Sequence, residues 1–134
     1  MSGHINGGLL FGSRRAQEEA EMWTIRVSRE FGAAHQIHGL GGKCEDVHGH
    51  NYRVEVEISA KELMKPGMIA DFTDVGAKLQ SILPDHKMLN EVYESNPTSE
   101  YLARQFFEEM LQYYPVSRVT VWETRDSCAT YSAD

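Results

Sequence analysis

The sequence predicts an α+β domain in the order ββααββ, with a four-stranded antiparallel sheet and two helices on one face. Three observations lead there. Two runs of apolar alternation stand early in the chain, two stretches with apolar residues at helical spacing follow, each closed by a proline, and alternation returns near the C-terminus.

The first strand is expected from Thr24 to Phe31, where Ile25, Val27 and Phe31 fall on alternate positions, the period of a half-buried strand. A glycine-rich stretch, Gly39 to Gly42, separates it from a second alternating run. There Tyr52, Val54, Val56 and Ile58 share one face, while Arg53, Glu55 and Glu57 share the other, so the two runs suggest an antiparallel hairpin with a long loop. Lys65, Pro66 and Gly67 mark a turn, and Val75, Leu79, Ile82 and Leu83 then recur at helical spacing until Pro84 ends the helix. Asn96, Pro97 and Thr98 make a second helix start, before an apolar stripe of Leu102, Phe106, Phe107, Met110, Leu111 and Tyr114 that Pro115 stops. Val119 and Val121 alternate in a third strand, and Ala129 to Tyr131 form a short fourth. Two helices cover one sheet face only, and open edges invite pairing with another chain, so a homo-oligomer is expected.

With 134 residues the chain suits one core, read as a domain over 22–134 preceded by an arm over 1–21. Hydrophobic residues make up 41% and charged residues 25%, and no apolar run approaches the ~20 residues of a membrane span. A soluble, cytoplasmic protein is the expectation. The net charge of −7 argues against nucleic acid as a partner, because backbone phosphates are bound by clustered Lys and Arg. The only two cysteines are Cys44 and Cys128; with no signal peptide in view they read as free thiols, Cys128 as a small buried hydrophobe.

His35 has the parity of Ile25, Val27 and Phe31, and without an intervening bulge lies at the far end of the first strand's apolar face. His48 and His50 share the parity of Tyr52 and Val54 at the start of the second strand. Antiparallel pairing brings these ends together. Three imidazoles suit zinc, which accepts neutral imidazole nitrogen in tetrahedral geometry and, with three protein ligands, keeps a fourth position for water or substrate. Ordinary polar residues beside a turn are the competing reading, and a structural site closed by Cys44 is a second. His38 is near but has the wrong parity.

Cys44 stands four residues before His48, where a metal or cationic groups can lower a thiol's pKa from its usual ~8.5 and make it a base or nucleophile. Asp85 directly precedes His86, a pair in which the carboxylate can tune the imidazole for proton transfer. Glu123 has the parity of Val119 and Val121, so a carboxylate is expected on an apolar face, at a cost unless paired, unless the strand ends before it.

The stretch FGAAHQIHGLGGKCEDVHGHNYRVEVEI, followed in order by GMIADF, DHKMLN, NPTSEYLA and VWET, resembles the 6-pyruvoyltetrahydropterin and 6-carboxytetrahydropterin synthases, whose core pattern is Cys-x-x-x-His-Gly-His. The likeness covers nearly the whole chain after Met22. It implies a tunnelling fold, in which protomers join their sheets into a trimeric barrel and two trimers commonly stack as a hexamer. It implies zinc on His35, His48 and His50, Cys44 as general base, Asp85 with His86 as proton relay, and Glu123 as the pterin anchor with Thr98 and Thr124 nearby. Cys44 and His86 would come from different chains. The implied reaction takes 7,8-dihydroneopterin triphosphate to 6-carboxy-5,6,7,8-tetrahydropterin, on the 7-deazaguanine route to queuosine. Glu45, next to Cys44, points to a second outcome, because subfamilies with a glutamate near this place cleave the side chain to 6-hydroxymethyl-7,8-dihydropterin for folate synthesis. A non-catalytic oligomer with structural zinc is the alternative of another class.

Overall fold

A computed structural model describes residues 21–40 and 46–133; Cys44, Glu45 and the expected arm short of Glu21 lie outside the described residues. Strand β1, Trp23–His35, pairs antiparallel with β2, His48–Ala60, in one register from Trp23 opposite Ala60 to His35 opposite His48. Both strands outrun the alternation that signals them. Their inward residues Val27, Phe31, Tyr52, Val54, Val56 and Ile58 are buried, each apolar side chain contributing roughly 1.5–3 kcal/mol relative to exposure.

Helix α1, Phe72–Ile82, starts where the Asp71 carboxylate accepts a hydrogen bond from the Thr73 N–H at 2.7 Å, and it ends just before Pro84. Strand β3 is Lys87–Met88, helix α2 is Leu89–Val92, and helix α3 is Ser99–Leu111. The Thr98 hydroxyl caps α3 by accepting from the Tyr101 N–H at 3.1 Å. Leu102, Ala103, Phe106, Phe107 and Met110 of α3 are buried in the core against the sheet. Strands β4, Val116–Thr124, and β5, Ser127–Ser132, complete a sheet in the order β3-β1-β2-β4-β5.

The fold class is the expected one, with two additions. Strand β3 is a fifth strand, and it runs parallel to β1 beside Ala33 and Ala34, so the sheet is not wholly antiparallel. Helix α2 is a single turn. Neither element is long enough to show a period in sequence. On the face away from the helices, Arg26, Glu57 and Arg118 stand side by side across β1, β2 and β4, with Arg26 Nε 3.5 Å from Glu57 Oε1. No described helix is long and apolar enough to cross a membrane.

Candidate metal centre

Because β1 and β2 pair without a bulge up to His35 and His48, alternation carries His35, His48 and His50 to one end of the buried face. Glu123, the penultimate residue of β4, joins them. One donor atom from each of the four lies within 4.8 Å of every other, and this is the metal-capable group among the described residues. His35 Nε2 is 3.0 Å from His48 Nε2, Glu123 Oε1 is 3.3 Å from His50 Nε2, and Glu123 Oε2 is 4.0 Å from His35 Nε2. Ligands around tetrahedral zinc, with bonds of about 2.0–2.1 Å, stand roughly 3.3–3.4 Å apart.

The backbone sets the ring protons. His35 Nδ1 lies 2.9 Å from the Pro97 carbonyl and His48 Nδ1 lies 2.9 Å from the Asp46 carbonyl. A carbonyl oxygen only accepts, so each Nδ1 carries the hydrogen and a neutral ring leaves its Nε2 as a bare lone pair. Two such lone pairs then face each other at 3.0 Å, an arrangement that a cation between them relieves. The donor set therefore fits a metal such as zinc. The Tyr52 hydroxyl is 3.1 Å from His35 Nδ1; burial, and after it the Glu123 charge, push its pKa upward and keep it neutral.

Glu123 lies within β4, not beyond its end, and its side chain is 32% exposed. Ser99, the first residue of α3, donates its hydroxyl to Glu123 Oε2 at 3.3 Å. Glu123 borders a cleft of about 200 Å³ lined also by Ser99, Glu100, Ser127, Cys128 and Ala129. One carboxylate thus faces both the imidazoles and a solvent-open cleft.

Asp85 and His86 sit apart from this group. They dock on the outer edge of β1, where Asp85 Oδ1 accepts from the Gly32 N–H at 2.8 Å and the His86 N–H donates to the Gly32 carbonyl at 2.6 Å. Asp85 Oδ2 is 3.5 Å from His86 Nε2, whose side chain is 89% exposed. His86 holds φ at 60°, a left-handed conformation that costs a non-glycine residue about 1–2 kcal/mol. The Thr98 hydroxyl is engaged as the α3 cap, and the Thr124 hydroxyl accepts from the Asp126 N–H at 3.3 Å in the β4–β5 turn. His38 follows β1 and lies outside the metal-capable group. Cys44 and Glu45 fall outside the described residues.

One expectation is corrected. Cys128 is exposed, not buried, because β5 is the edge strand and Cys128 sits opposite Trp122, sharing its face away from the helices. Sequence reasoning also misses Pro97 and Ser99. Pro97 acts through a carbonyl, which no side-chain pattern announces, whereas Ser99 is signalled only by its place directly after the capping threonine.

The family model described as 6-pyruvoyl tetrahydropterin synthase matches residues 24–134. A protein of Archaeoglobus fulgidus, provisionally named 6-carboxy-5,6,7,8-tetrahydropterin synthase, is 43% identical over 114 residues, 83% of this chain and 96% of its own. The 6-carboxy-5,6,7,8-tetrahydropterin synthase of Synechocystis is 33% identical over 120 residues, 82% of this chain and 93% of its own. Among solved structures, the 6-pyruvoyl tetrahydropterin synthase of Caenorhabditis elegans superposes with a TM-score of 0.74 at 26% identity, over 85% of this chain and 97% of that one.

Proposed function

The chain belongs to the 6-pyruvoyl tetrahydropterin synthase family, and from that premise we propose that it is a zinc-dependent lyase converting 7,8-dihydroneopterin triphosphate to 6-carboxy-5,6,7,8-tetrahydropterin. The observation that carries the reading is the convergence of His35, His48, His50 and Glu123 at one end of the sheet. The choice of product follows the names of the Archaeoglobus and Synechocystis relatives.

In this reading His35, His48 and His50 hold the zinc, and the chemistry zinc supplies when bound is Lewis acidity toward oxygens of the substrate side chain. Glu123 accepts the pterin N–H and amino group together, steadied by the Ser99 hydroxyl, with Thr98 and Thr124 at the margins. Cys44 removes a proton from the carbon side chain, and His86, tuned by Asp85, handles a second proton transfer. The exposure of His86 on the outer edge of β1 supports its service to the cluster of a neighbouring subunit. Assembly as a trimer or hexamer fits the outer edge of β1 over residues 23–31, which pairs with no other described strand. The catalytic unit is residues 22–134, and the enzyme is cytoplasmic.

The test is mass spectrometry of products after zinc-loaded protein meets 7,8-dihydroneopterin triphosphate, with Cys44→Ala and Glu45→Ala alongside. 6-Carboxytetrahydropterin formed by the wild type and Glu45→Ala, but not by Cys44→Ala, upholds the reading. Dominant 6-hydroxymethyldihydropterin that requires Glu45 would transfer the enzyme to folate synthesis. Absence of any product would leave a structural zinc site.

A further inference from the structure

Immediately after His35, two asparagines grip the chain. Asn90 Oδ1 accepts from the Gln36 N–H at 2.8 Å while its amide donates to the Gln36 carbonyl at 2.8 Å. Asn96 repeats the pattern two residues on, accepting from the His38 N–H at 2.9 Å and donating to the His38 carbonyl at 2.6 Å. Each side-chain amide pairs with a backbone unit as a neighbouring strand would, so both separation and orientation are fixed. Asn96 is also bonded to Pro97, whose carbonyl meets His35 Nδ1. On the far side, the Thr98 N–H donates to the Asn96 carbonyl at 2.9 Å and the Thr98 hydroxyl caps α3. The Pro97 carbonyl is thus carried on a short bracket, with α3 at one end and the chain leaving β1 at the other.

We propose that Asn96 is a positioning residue of the metal centre: its clamp on His38 holds the Pro97 carbonyl against His35 Nδ1 and so selects the tautomer whose Nε2 is free to ligate. The inference rests on reading the histidine cluster as a metal site. Without the clamp the carbonyl loses its fixed distance to the ring, and the His35 hydrogen can move to Nε2, into the space a metal needs. Losing the hydrogen-bond partner that orients a ligating histidine typically weakens metal affinity 10–100-fold. Because Asn96 acts one bond further out, the low end of that range, about tenfold, is expected.

Two readouts test this on the full chain. The ring ¹⁵N shifts of His35 in metal-free protein, at a pH where the ring is neutral, report the tautomer directly, and competition with a chromophoric chelator reports zinc affinity. Wild type is expected to carry the hydrogen on Nδ1, whereas Asn96→Ala shows mixed tautomers and about tenfold weaker zinc binding. Asp71→Ala, which removes the remote α1 cap, controls for lost stability and is expected to keep the wild-type tautomer and affinity. Should Asn96→Ala not fold, Asn96→Asp keeps the acceptor for the His38 N–H, removes the donor, and is expected to shift the tautomer likewise. A variant that retains the Nδ1–H tautomer and wild-type affinity overturns the proposal. If wild type binds no zinc, the metal reading falls, and the tautomer in Asn96→Ala still decides whether the clamp positions His35.

Discussion

His35 and His86 are both histidines that the sequence marks for chemistry, and the fold treats them in opposite ways. The side chain of His35 is 1% exposed and is approached by the Pro97 carbonyl, the Tyr52 hydroxyl, His48 and Glu123. That of His86 is 89% exposed, although its backbone is fixed on Gly32 in a left-handed conformation. One imidazole has its surroundings supplied by its own chain. The other is held out from the β1 edge, its ring approached by the neighbouring Asp85 carboxylate. Enclosure is therefore complete in one place, while a left-handed backbone is carried without enclosure in the other.

The contrast can be broken most severely at the enclosed end. His48→Ala is expected to lose bound zinc and essentially all turnover, read from the metal content of dialysed protein and product formation. Chelation should lower the melting temperature of wild type by several degrees and leave His48→Ala unmoved, since a ligand that binds only the folded state at one hundred times its Kd adds about 2.7 kcal/mol. An active, metal-free His48→Ala protein would sink the assignment.

At the exposed end the metal should stay and the chemistry should go. His86→Ala and Asp85→Asn are expected to retain zinc while turnover falls about 10²–10⁴-fold, the usual contribution of a positioned acid or base. A subtler substitution sharpens the point. His86→Gly relieves the positive φ and is expected to stabilise the protein by about 1 kcal/mol in denaturant unfolding, even as activity is lost. No gain in stability would mean that the side chain itself holds the corner.

The smallest effect concerns the phenol beside His35. Burial raises the pKa of Tyr52 in the folded state above the ordinary phenol value of about 10. A group with a raised folded value contributes stability that is whole below the unfolded value and declines as the pH rises past it. Wild type should therefore lose stability above about pH 10, an alkaline loss that Tyr52→Phe reduces; parallel urea titrations of the two proteins across that range decide it.

The imidazole cluster is legible in sequence because strand alternation is local: once β1 and β2 pair in register, parity alone carries His35, His48 and His50 to one face. Glu123 is legible in the same way, as a carboxylate on an apolar parity. The Asp85–His86 dipeptide is visible as chemistry but not as geometry, since its place depends on Gly32, 53 residues away, offering its backbone at an open edge. Cys128 misleads for a similar reason. Its residue type suggests burial, whereas its exposure follows from β5 being the last strand of the sheet.

The sequence by itself determined the α+β class, the four longer strands, the two longer helices and the histidines that share a face, because each depends on periodicity or on neighbours within one turn of chain. Tertiary structure alone decided the parallel β3, the position of His86 and the ring tautomers of His35 and His48. Those depend on backbone carbonyls and N–H groups, which every residue carries alike, so only the folded path of the chain selects which of them meet a side chain.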